Sequence, residues 1–238
     1  MKISQRGLHE IASHEAIVTS KYKDSVGVWT IGIGHTLGAG LPDPRRVVGD
    51  LSIEKTMEIF NRDIKKFERR VNKAFARALT QNQFDAAVSF DFNTGGIDRA
   101  TWVKQFNRGD IKAARKSFMK WSKPKEIIAR RQSECRLFFD GKYASNGYVS
   151  VYNASSNGRV KWSSGKRIKL LLNEGGVEQT SNAPSPTKSP KSIRNPIAIL
   201  GASLMGGLVA SGIAFWDKIE RYLKDGRFMM NLTRVRTY

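Results

Sequence analysis

Residues 22–36 read YKDSVGVWTIGIGHT, and this glycine-rich stretch decides the fold of the chain around it. Its β-branched and aromatic residues are interrupted by glycines, which is typical of strands joined by a tight turn. A turn centred on Gly27 would set two residue pairs opposite each other, Asp24 with Thr30 and Tyr22 with Gly32. This register is a hypothesis, and the predicted site described next depends on it.

The predicted hairpin has two different faces. One face carries Asp24 and Thr30 and continues into glycines without side chains, so a flat ligand could lie beside a polar pair. The other face carries Ile31 and Ile33, which we expect to pack inward. His35 lies on this inward side, and its position favours a hydrogen-bonded structural histidine over a catalytic one.

A helix with an apolar stripe precedes the hairpin and ends at Glu15. The positions of the stripe recur at helical spacing: Leu8, Ile11, Ala12 and Glu15. A carboxyl group at this end would be partly desolvated, and desolvation disfavours its ionised form. A general acid must keep its proton near neutral pH, so this position suits that role. The alternative is that the helix simply ends and Glu15 turns to water.

Glu15 and Asp24 together meet the minimum requirement for glycosidic hydrolysis. One carboxyl group would protonate the leaving oxygen, and the other would organise a nucleophile. The hydroxyl group of Thr30 could hold a water molecule beside the carboxylate. The three residues alone are a weak signal, because such a triple occurs often by chance.

Helical patterns dominate the rest of residues 1–144. Ser52 is placed to cap a helix whose apolar positions include Phe60 and Ile64. Thr80 and Gln83 form a capping box that announces a second helix. Further helical patterns cover residues 111–121 and 127–139. The sequence therefore predicts an α+β domain with a small β-hairpin lobe and a helical lobe.

The sequence changes character after residue 144. Residues 145–174 predict a β-hairpin extension, with alternating apolar residues around the turn-prone run Ser155 to Gly158. Residues 175–195 are small and polar, and we interpret them as a linker stiffened by Pro184, Pro186 and Pro190. Residues 217–238 form a basic C-terminal tail.

Residues 196–216 contain no charged side chain and would span about 30 Å as a helix, which predicts a transmembrane segment. The alternative is a buried core helix. Small residues follow this segment at four-residue spacing and could let a second helix approach closely: Ala198, Ala202, Gly206, Ala210 and Ala214. Alternatively, they only moderate its hydrophobicity. The basic residues on its two flanks do not indicate an orientation.

The chain carries 41 Lys and Arg against 21 Asp and Glu, a formal charge of +20. Such a charge favours an anionic partner: a nucleic acid, a membrane surface or the bacterial wall. No nucleic acid is expected, because no recognised binding module contains the basic residues. Cys135 is the only cysteine, so no internal disulfide can form. No cofactor or metal is expected, because the three histidines lack ligand spacing. Residues 1–18 show no secretory signal pattern.

The first helix and the glycine-rich hairpin resemble those of glycoside hydrolase family 24, the phage-type lysozymes. The resemblance spans residues 4–144 and is most specific in Asp-x-x-Gly-x-x-Thr-Ile-Gly-x-Gly-His-Thr, residues 24–36, at the family's spacing from Glu15. Further matches are residues 79–86, residues 89–95 and Arg130-Arg131-x-x-Glu134. Asp91 departs from the family pattern, which usually has an apolar or small residue there.

The resemblance implies a lysozyme-like fold and a muramidase that cleaves the β-1,4 bond between N-acetylmuramic acid and N-acetylglucosamine. Glu15 would be the general acid, and Asp24 with Thr30 would position the attacking water for inversion. The partner would be peptidoglycan on the periplasmic side of a bacterial inner membrane, by an export route that the sequence does not indicate. The alternative is a non-catalytic cationic protein that binds the wall or permeabilises the membrane.

Two further groups of residues receive structural interpretations. We expect the charged residues of one helix to form ion pairs on its surface: Arg130, Arg131 and Glu134. The tryptophans at positions 29, 102 and 121 could stack on sugars, although core packing is the commoner role for such residues.

Overall fold

The computed structural model describes residues 1–170 of the chain. The predicted linker, transmembrane segment and basic tail, residues 175–238, lie outside the described residues. No helix among residues 1–170 combines the length and the apolar character needed to cross a bilayer.

Within this range the chain folds into six α-helices and one five-stranded sheet. The helices are α1 (Gln5–His14), α2 (Ile53–Ala74), α3 (Gln81–Thr94), α4 (Thr101–Asn107), α5 (Ile111–Phe118) and α6 (Ile128–Asp140). The strands are β1 (Ala16–Lys23), β2 (Trp29–Gly32), β3 (His35–Thr36), β4 (Tyr148–Ala154) and β5 (Val160–Lys169). In the sheet they lie in the order β3-β2-β1-β4-β5.

The predicted helix starts are confirmed at α2 and α3. The Ser52 hydroxyl accepts a hydrogen bond from the Lys55 N–H at 3.1 Å. At α3 the capping box is complete, because the Thr80 N–H donates to the Gln83 side chain at 3.0 Å and the Gln83 N–H donates to the Thr80 hydroxyl at 3.3 Å. Each cap satisfies N–H groups that the first turn of a helix leaves without partners.

The main core lies among the helices. Helix α3 is buried on all sides over residues 84–92, so it runs through the centre of the helical lobe. The rings of Trp102 and Phe118 pack against Phe90, and Phe138 packs against Trp102. Trp102 is completely buried and therefore has the core role.

The register of the β1–β2 hairpin differs from the prediction. Tyr22 pairs with Thr30, and Lys23 pairs with Trp29. The reason is the Asp24 carboxylate, whose Oδ1 accepts hydrogen bonds from the N–H groups of Val26 at 3.0 Å and Val28 at 2.8 Å. These bonds close the turn one residue earlier than a turn centred on glycine would.

Gly27 is the last residue of a three-residue loop and is not its centre. Its φ of +84° lies in the left-handed region, which suits the final position of such a hairpin loop. The predicted pairing of Tyr22 with Gly32 is also wrong, because an irregularity in β1 lets Gly32 pair with Val18. The prediction that Ile31 and Ile33 are buried is confirmed.

The second predicted hairpin is present as β4 and β5, which pair antiparallel and turn at Ser155 to Gly158. It does not stand apart from the first. Strand β4 pairs in parallel with β1, with Ala16 opposite Ser150 and Val18 opposite Tyr152. Both hairpins therefore belong to one sheet, and β1 is the strand they share.

Candidate active site

Glu15 lies at the junction of α1 and β1. It ends the helix with an extended backbone, φ −111° and ψ 158°, and its N–H donates to the Ala12 carbonyl at 3.3 Å. The residue is only 6% exposed, and its Oε1 lies 2.5 Å from Nη1 of Arg130. The alternative that Glu15 turns to water is therefore wrong, because the side chain turns inward to a cation on α6.

The charged residues of α6 form a buried network, and the prediction of surface ion pairs is wrong. Arg131 and Glu134 are completely buried. Glu134 accepts hydrogen bonds from Arg130 Nε at 2.9 Å, from the Ser89 hydroxyl at 2.6 Å and from Arg131 Nη1. Arg131 also donates to Asn93 and stacks on the ring of Phe90.

This network keeps Arg130 charged beside Glu15. Burial opposes the charge of Arg130, but the carboxylates of Glu15 and Glu134 outweigh it and raise the pKa of the guanidinium. Burial also opposes the charge of Glu134, but Arg131 and Arg130 outweigh it and lower the pKa of that carboxyl group. Removing one partner from a buried ion network leaves a charge without compensation and destabilises the protein. The network therefore holds Arg130 in place.

Asp24 and Thr30 meet at a single carbonyl group. The Asp24 N–H donates to the Val28 carbonyl at 2.9 Å, and the Thr30 hydroxyl donates to the same oxygen at 3.0 Å. Both residues are buried, Asp24 with 8% and Thr30 with 0% exposed. The structure therefore brings these two predicted residues together, although through the turn and not by direct cross-strand pairing.

Tyr22 connects Glu15 with Asp24. Its side chain is buried in a small cluster on the sheet with Val18 and Tyr152. Burial raises the pKa of the Tyr22 phenol, and the negative charges of Glu15 and Asp24 raise it further. The two carboxylates thus lie within electrostatic reach of the same phenol, although β1 separates them along the chain.

His35 has the structural role that its position predicts. It is buried, with Nδ1 2.6 Å from Asp63 Oδ2 and Nε2 2.8 Å from the Pro42 carbonyl oxygen. Both ring nitrogens therefore have partners, and they tie β3 to α2 and to the loop between them. Asp63 was not anticipated from the sequence.

Asp91 fits its unusual position through an ion pair. It is completely buried, and its Oδ2 lies 2.7 Å from Arg70 Nε. Its Oδ1 accepts a hydrogen bond from the Ile97 N–H at 3.1 Å. Arg70 on α2 thus offsets part of the cost of a buried charge in the centre of α3, although burial still raises the pKa of Asp91.

Sequence reasoning missed Arg130 and Tyr22 as members of the site. A signal for the network was present, because Ile127, Arg131, Glu134 and Phe138 fall at i, i+4, i+7 and i+11. That spacing places two charged residues on the apolar face of α6, where they need each other as partners. No comparable signal exists for Tyr22, whose role depends on the bend of β1.

Comparison with known proteins gives one consistent result. The profile of the phage lysozyme family, described as "Phage lysozyme", matches residues 12–134. The endolysin of Acyrthosiphon pisum secondary endosymbiont phage 1 is 36% identical over 150 residues, which cover 58% of this chain and 98% of that protein.

Two more similarities extend this result. The solved endolysin from Escherichia coli O157:H7 phage FAHEc1 superposes with a TM-score of 0.56 at 28% identity, over 61% of this chain and 98% of that one. The SAR-endolysin of Escherichia phage Mu is 28% identical over 131 residues, which cover 52% of this chain and 73% of that protein.

Proposed function

Because the chain belongs to the phage lysozyme family and is a muramidase that degrades peptidoglycan, we propose that Glu15 is its general acid and that Asp24 and Thr30 position the attacking water. The observation that supports this proposal is the burial of Glu15, Asp24 and Thr30, with both carboxyl groups within electrostatic reach of the Tyr22 phenol. The fold is α+β and lysozyme-like, with a sheet and a helical lobe.

Each group has a chemical task in the cleavage of the β-1,4 bond between N-acetylmuramic acid and N-acetylglucosamine. Glu15 delivers a proton to the leaving oxygen, and Asp24 accepts a proton from the water that attacks the sugar carbon. The single hydroxyl proton of Thr30 is engaged by the Val28 carbonyl. Thr30 can therefore only accept a hydrogen bond from that water. The water then directs its other proton toward Asp24.

Arg130 is proposed as a positioning residue for this reaction. It holds the carboxyl group of Glu15 through Nη1 and is itself fixed by Glu134 through Nε. Within residues 1–170 its buried Nη2 has no hydrogen-bond partner. That donor would be satisfied if Glu15 or the substrate shifted toward it during the reaction.

Glu15→Gln tests the proposal. Glutamine keeps the size of the side chain and an oxygen that can accept from Arg130, but it cannot donate a carboxyl proton. We expect hydrolysis of purified Gram-negative walls, followed by turbidity, to fall by at least about a hundredfold. Mass spectrometry of the released muropeptides identifies the bond that is broken and separates hydrolysis from transglycosylation.

The matched control is Glu58→Gln, which changes an exposed glutamate that pairs with Lys55 on the same helix. It should keep full activity. Equal hydrolysis by the parent and by Glu15→Gln would contradict the assignment of Glu15 as the general acid.

We also propose that residues 196–216 form a transmembrane helix, joined by the linker of residues 175–195, and that they hold the enzyme at the inner membrane. The support is the uncharged length of this segment and the existence of SAR-endolysins among the relatives. Carbonate extraction should leave the parent in the membrane fraction, whereas Leu208→Arg should release part of it. Recovery of the parent in the soluble fraction would contradict the proposal.

The small residues from Ala198 to Ala214 give this segment a face for self-association. Gly206→Leu should then weaken a cross-linked dimer of the full chain in detergent. Ser211→Leu changes a residue that would lie on the other side of such a helix and serves as the control.

A further inference from the structure

The β4–β5 hairpin lies outside residues 12–134, the part of the chain that matches the family, and it exposes aromatic and cationic side chains. Trp162 is 43% exposed and Tyr148 is 41% exposed. We call the four residues Tyr148, Tyr152, Trp162 and Arg167 the aromatic platform.

Cross-strand register places the platform on the face of the sheet that points away from the main core. Val149 and Ile168 lie opposite each other and pack against the main core. The neighbouring pairs, Tyr148 with Lys169 and Ser150 with Arg167, must therefore point to the other face, because side chains alternate along a strand. The Arg167 guanidinium lies 5.3 Å from the centre of the Tyr148 ring.

An irregularity in β5 turns Trp162 outward. The pairing shifts between Val151 opposite Lys166 and Asn153 opposite Lys161, so that residues 162–165 bulge out of the strand. The bulge is closed by Ser164, whose hydroxyl accepts from the Asn153 N–H at 3.0 Å and donates to the Lys161 carbonyl at 2.6 Å. Bulges commonly re-aim a side chain in this way.

The Trp162 ring is supported from below by Tyr152. The two rings meet edge to face, with their centres 5.1 Å apart and their planes at 72°. Gly165 leaves room for this arrangement, since a Cβ there would lie 2.7 Å from Cε1 of Tyr152. The exposed indole is therefore held in place by a buried neighbour, and its outer surface stays available to a ligand.

The platform is continuous with the candidate active site. Tyr152 packs against Val18 and Tyr22 in one buried cluster. Tyr22 is the residue within electrostatic reach of Glu15 and Asp24. A buried cluster thus connects Tyr22, which lies near the carboxylates, with Tyr152 beneath Trp162.

We infer that the aromatic platform binds the glycan strand of peptidoglycan at a distance from the cleaved bond, with a sugar ring on Trp162 and a stem-peptide carboxylate at Arg167 and Lys169. This inference rests on the proposed function. The apolar C–H face of a sugar ring matches the flat surface of an indole, and the acidic stem peptides of peptidoglycan complement the two cations. An extended polymer can contact both the platform and the active site, whereas a short fragment can contact only one of them.

The test compares a long substrate with a short one, using the full chain purified in detergent. Trp162→Ala should lower the affinity for insoluble sacculi by about three- to tenfold and raise KM on them to a similar extent. Its kcat on a tetrasaccharide fragment should stay within about twofold of the parent. Trp162→Phe retains an aromatic ring, and its affinity for sacculi should lie between those of the parent and of Trp162→Ala.

Two control variants isolate the platform. Ile111→Ala removes an apolar side chain that is also 43% exposed but lies on α5, and it should bind sacculi like the parent. Arg167→Gln should weaken binding and reduce its dependence on salt, whereas Lys112→Gln on α5 should do neither. Thermal unfolding of each variant checks that the fold is retained.

Unchanged binding of sacculi by Trp162→Ala would overturn the inference, and so would an equal loss of kcat on the long and the short substrate. A selective loss of binding to vesicles of anionic phospholipid, with sacculus binding intact, would assign the platform to a lipid surface and also overturn it. The binding measurements decide the platform independently of hydrolysis, so failure of Glu15 as the acid would be recognised separately.

Discussion

Two turns of the sheet have the same backbone geometry and different surroundings. In the first, the Asp24 N–H donates to the Val28 carbonyl at 2.9 Å and the Gly27 N–H donates to the Asp24 carbonyl at 3.0 Å. The second repeats this pattern at 2.8 Å for both bonds, with residues Ser155, Arg159 and Gly158. Both glycines have a φ of +84°.

The environments of the two glycines are opposite. A Cβ at Gly27 would have no heavy atom within 4 Å, so the first turn is open. A Cβ at Gly158 would lie 2.9 Å from the Trp29 ring and 3.1 Å from the Lys23 backbone nitrogen. The Lys23 N–H also donates to the Gly158 carbonyl at 2.8 Å. The comparison teaches that one turn geometry can either present a buried carboxylate, here the proposed Asp24, or support the strand that leads to it.

The largest expected effect is on activity and distinguishes Asp24 from Ser155, the first residues of the two turns. Asp24→Asn retains an oxygen that can accept the N–H groups of Val26 and Val28, so the turn should persist while the charge is lost. We expect hydrolysis of sacculi to fall by about a hundredfold or more, because no carboxylate remains to accept the proton of the water. The measurement is the initial rate of turbidity loss.

Ser155→Ala is the matching change in the second turn. It removes the hydroxyl that donates to Asn157 but no charge near the carboxylates. Activity should stay within about twofold of the parent, and stability should fall by less than about 1 kcal/mol. Similar activity losses for Asp24→Asn and Ser155→Ala would mean that the two turns do not differ in function.

The next effect is on stability and compares the two glycines directly. Gly27→Ala should cost about 1 to 2 kcal/mol, because alanine is strained in the left-handed region but meets no neighbour. Gly158→Ala carries the same strain and also crowds the Trp29 ring and the Lys23 backbone, so it should cost about 1 to 3 kcal/mol more. Urea unfolding of the two variants measures the difference, and equal costs would contradict the packing of the second turn on β1.

Most local elements could be predicted from the sequence, because their causes are local. The caps of α2 and α3 follow from Ser52 and from Thr80 with Gln83, which act within one helical turn. The turn from Ser155 to Gly158 follows from its own composition. The register of the first hairpin could not be predicted from glycine alone, since the two hydrogen bonds of the Asp24 carboxylate determine it.

The arrangement around Glu15 depends on contacts between distant parts of the chain. Arg130 lies 115 positions away from Glu15 and reaches it because α1 and α6 both pack against α3. Strand β4 follows the helical lobe in the sequence and pairs in parallel with β1. No local sequence pattern predicts a pairing across such a separation. The candidate residues were therefore predictable from their motif, whereas the groups that position them were not.

The last expected effect concerns how the second hairpin is attached, and it depends on pH. Glu10 on α1 is completely buried and accepts hydrogen bonds from the N–H groups of Ala144 at 3.0 Å and Ser145 at 2.7 Å, just before β4. Burial opposes its charge, but His14 and these N–H groups outweigh it and lower the pKa of Glu10. Because the folded pKa is the lower one, its contribution is complete above the unfolded value near 4.5 and is lost as the pH falls through the folded pKa.

Glu10→Gln should therefore destabilise the protein by about 1 to 2 kcal/mol at pH 7, since charge-assisted hydrogen bonds are replaced by neutral ones. The difference in unfolding free energy between parent and variant should shrink as the pH is lowered from 5 to 3. Glu58→Gln, whose carboxylate is exposed, should show little difference at either pH. If the gap between parent and Glu10→Gln stayed constant down to pH 3, the charge of Glu10 would not contribute to the attachment. The second hairpin would then be attached to the first through the pairing of β4 with β1 and the packing of Gly158.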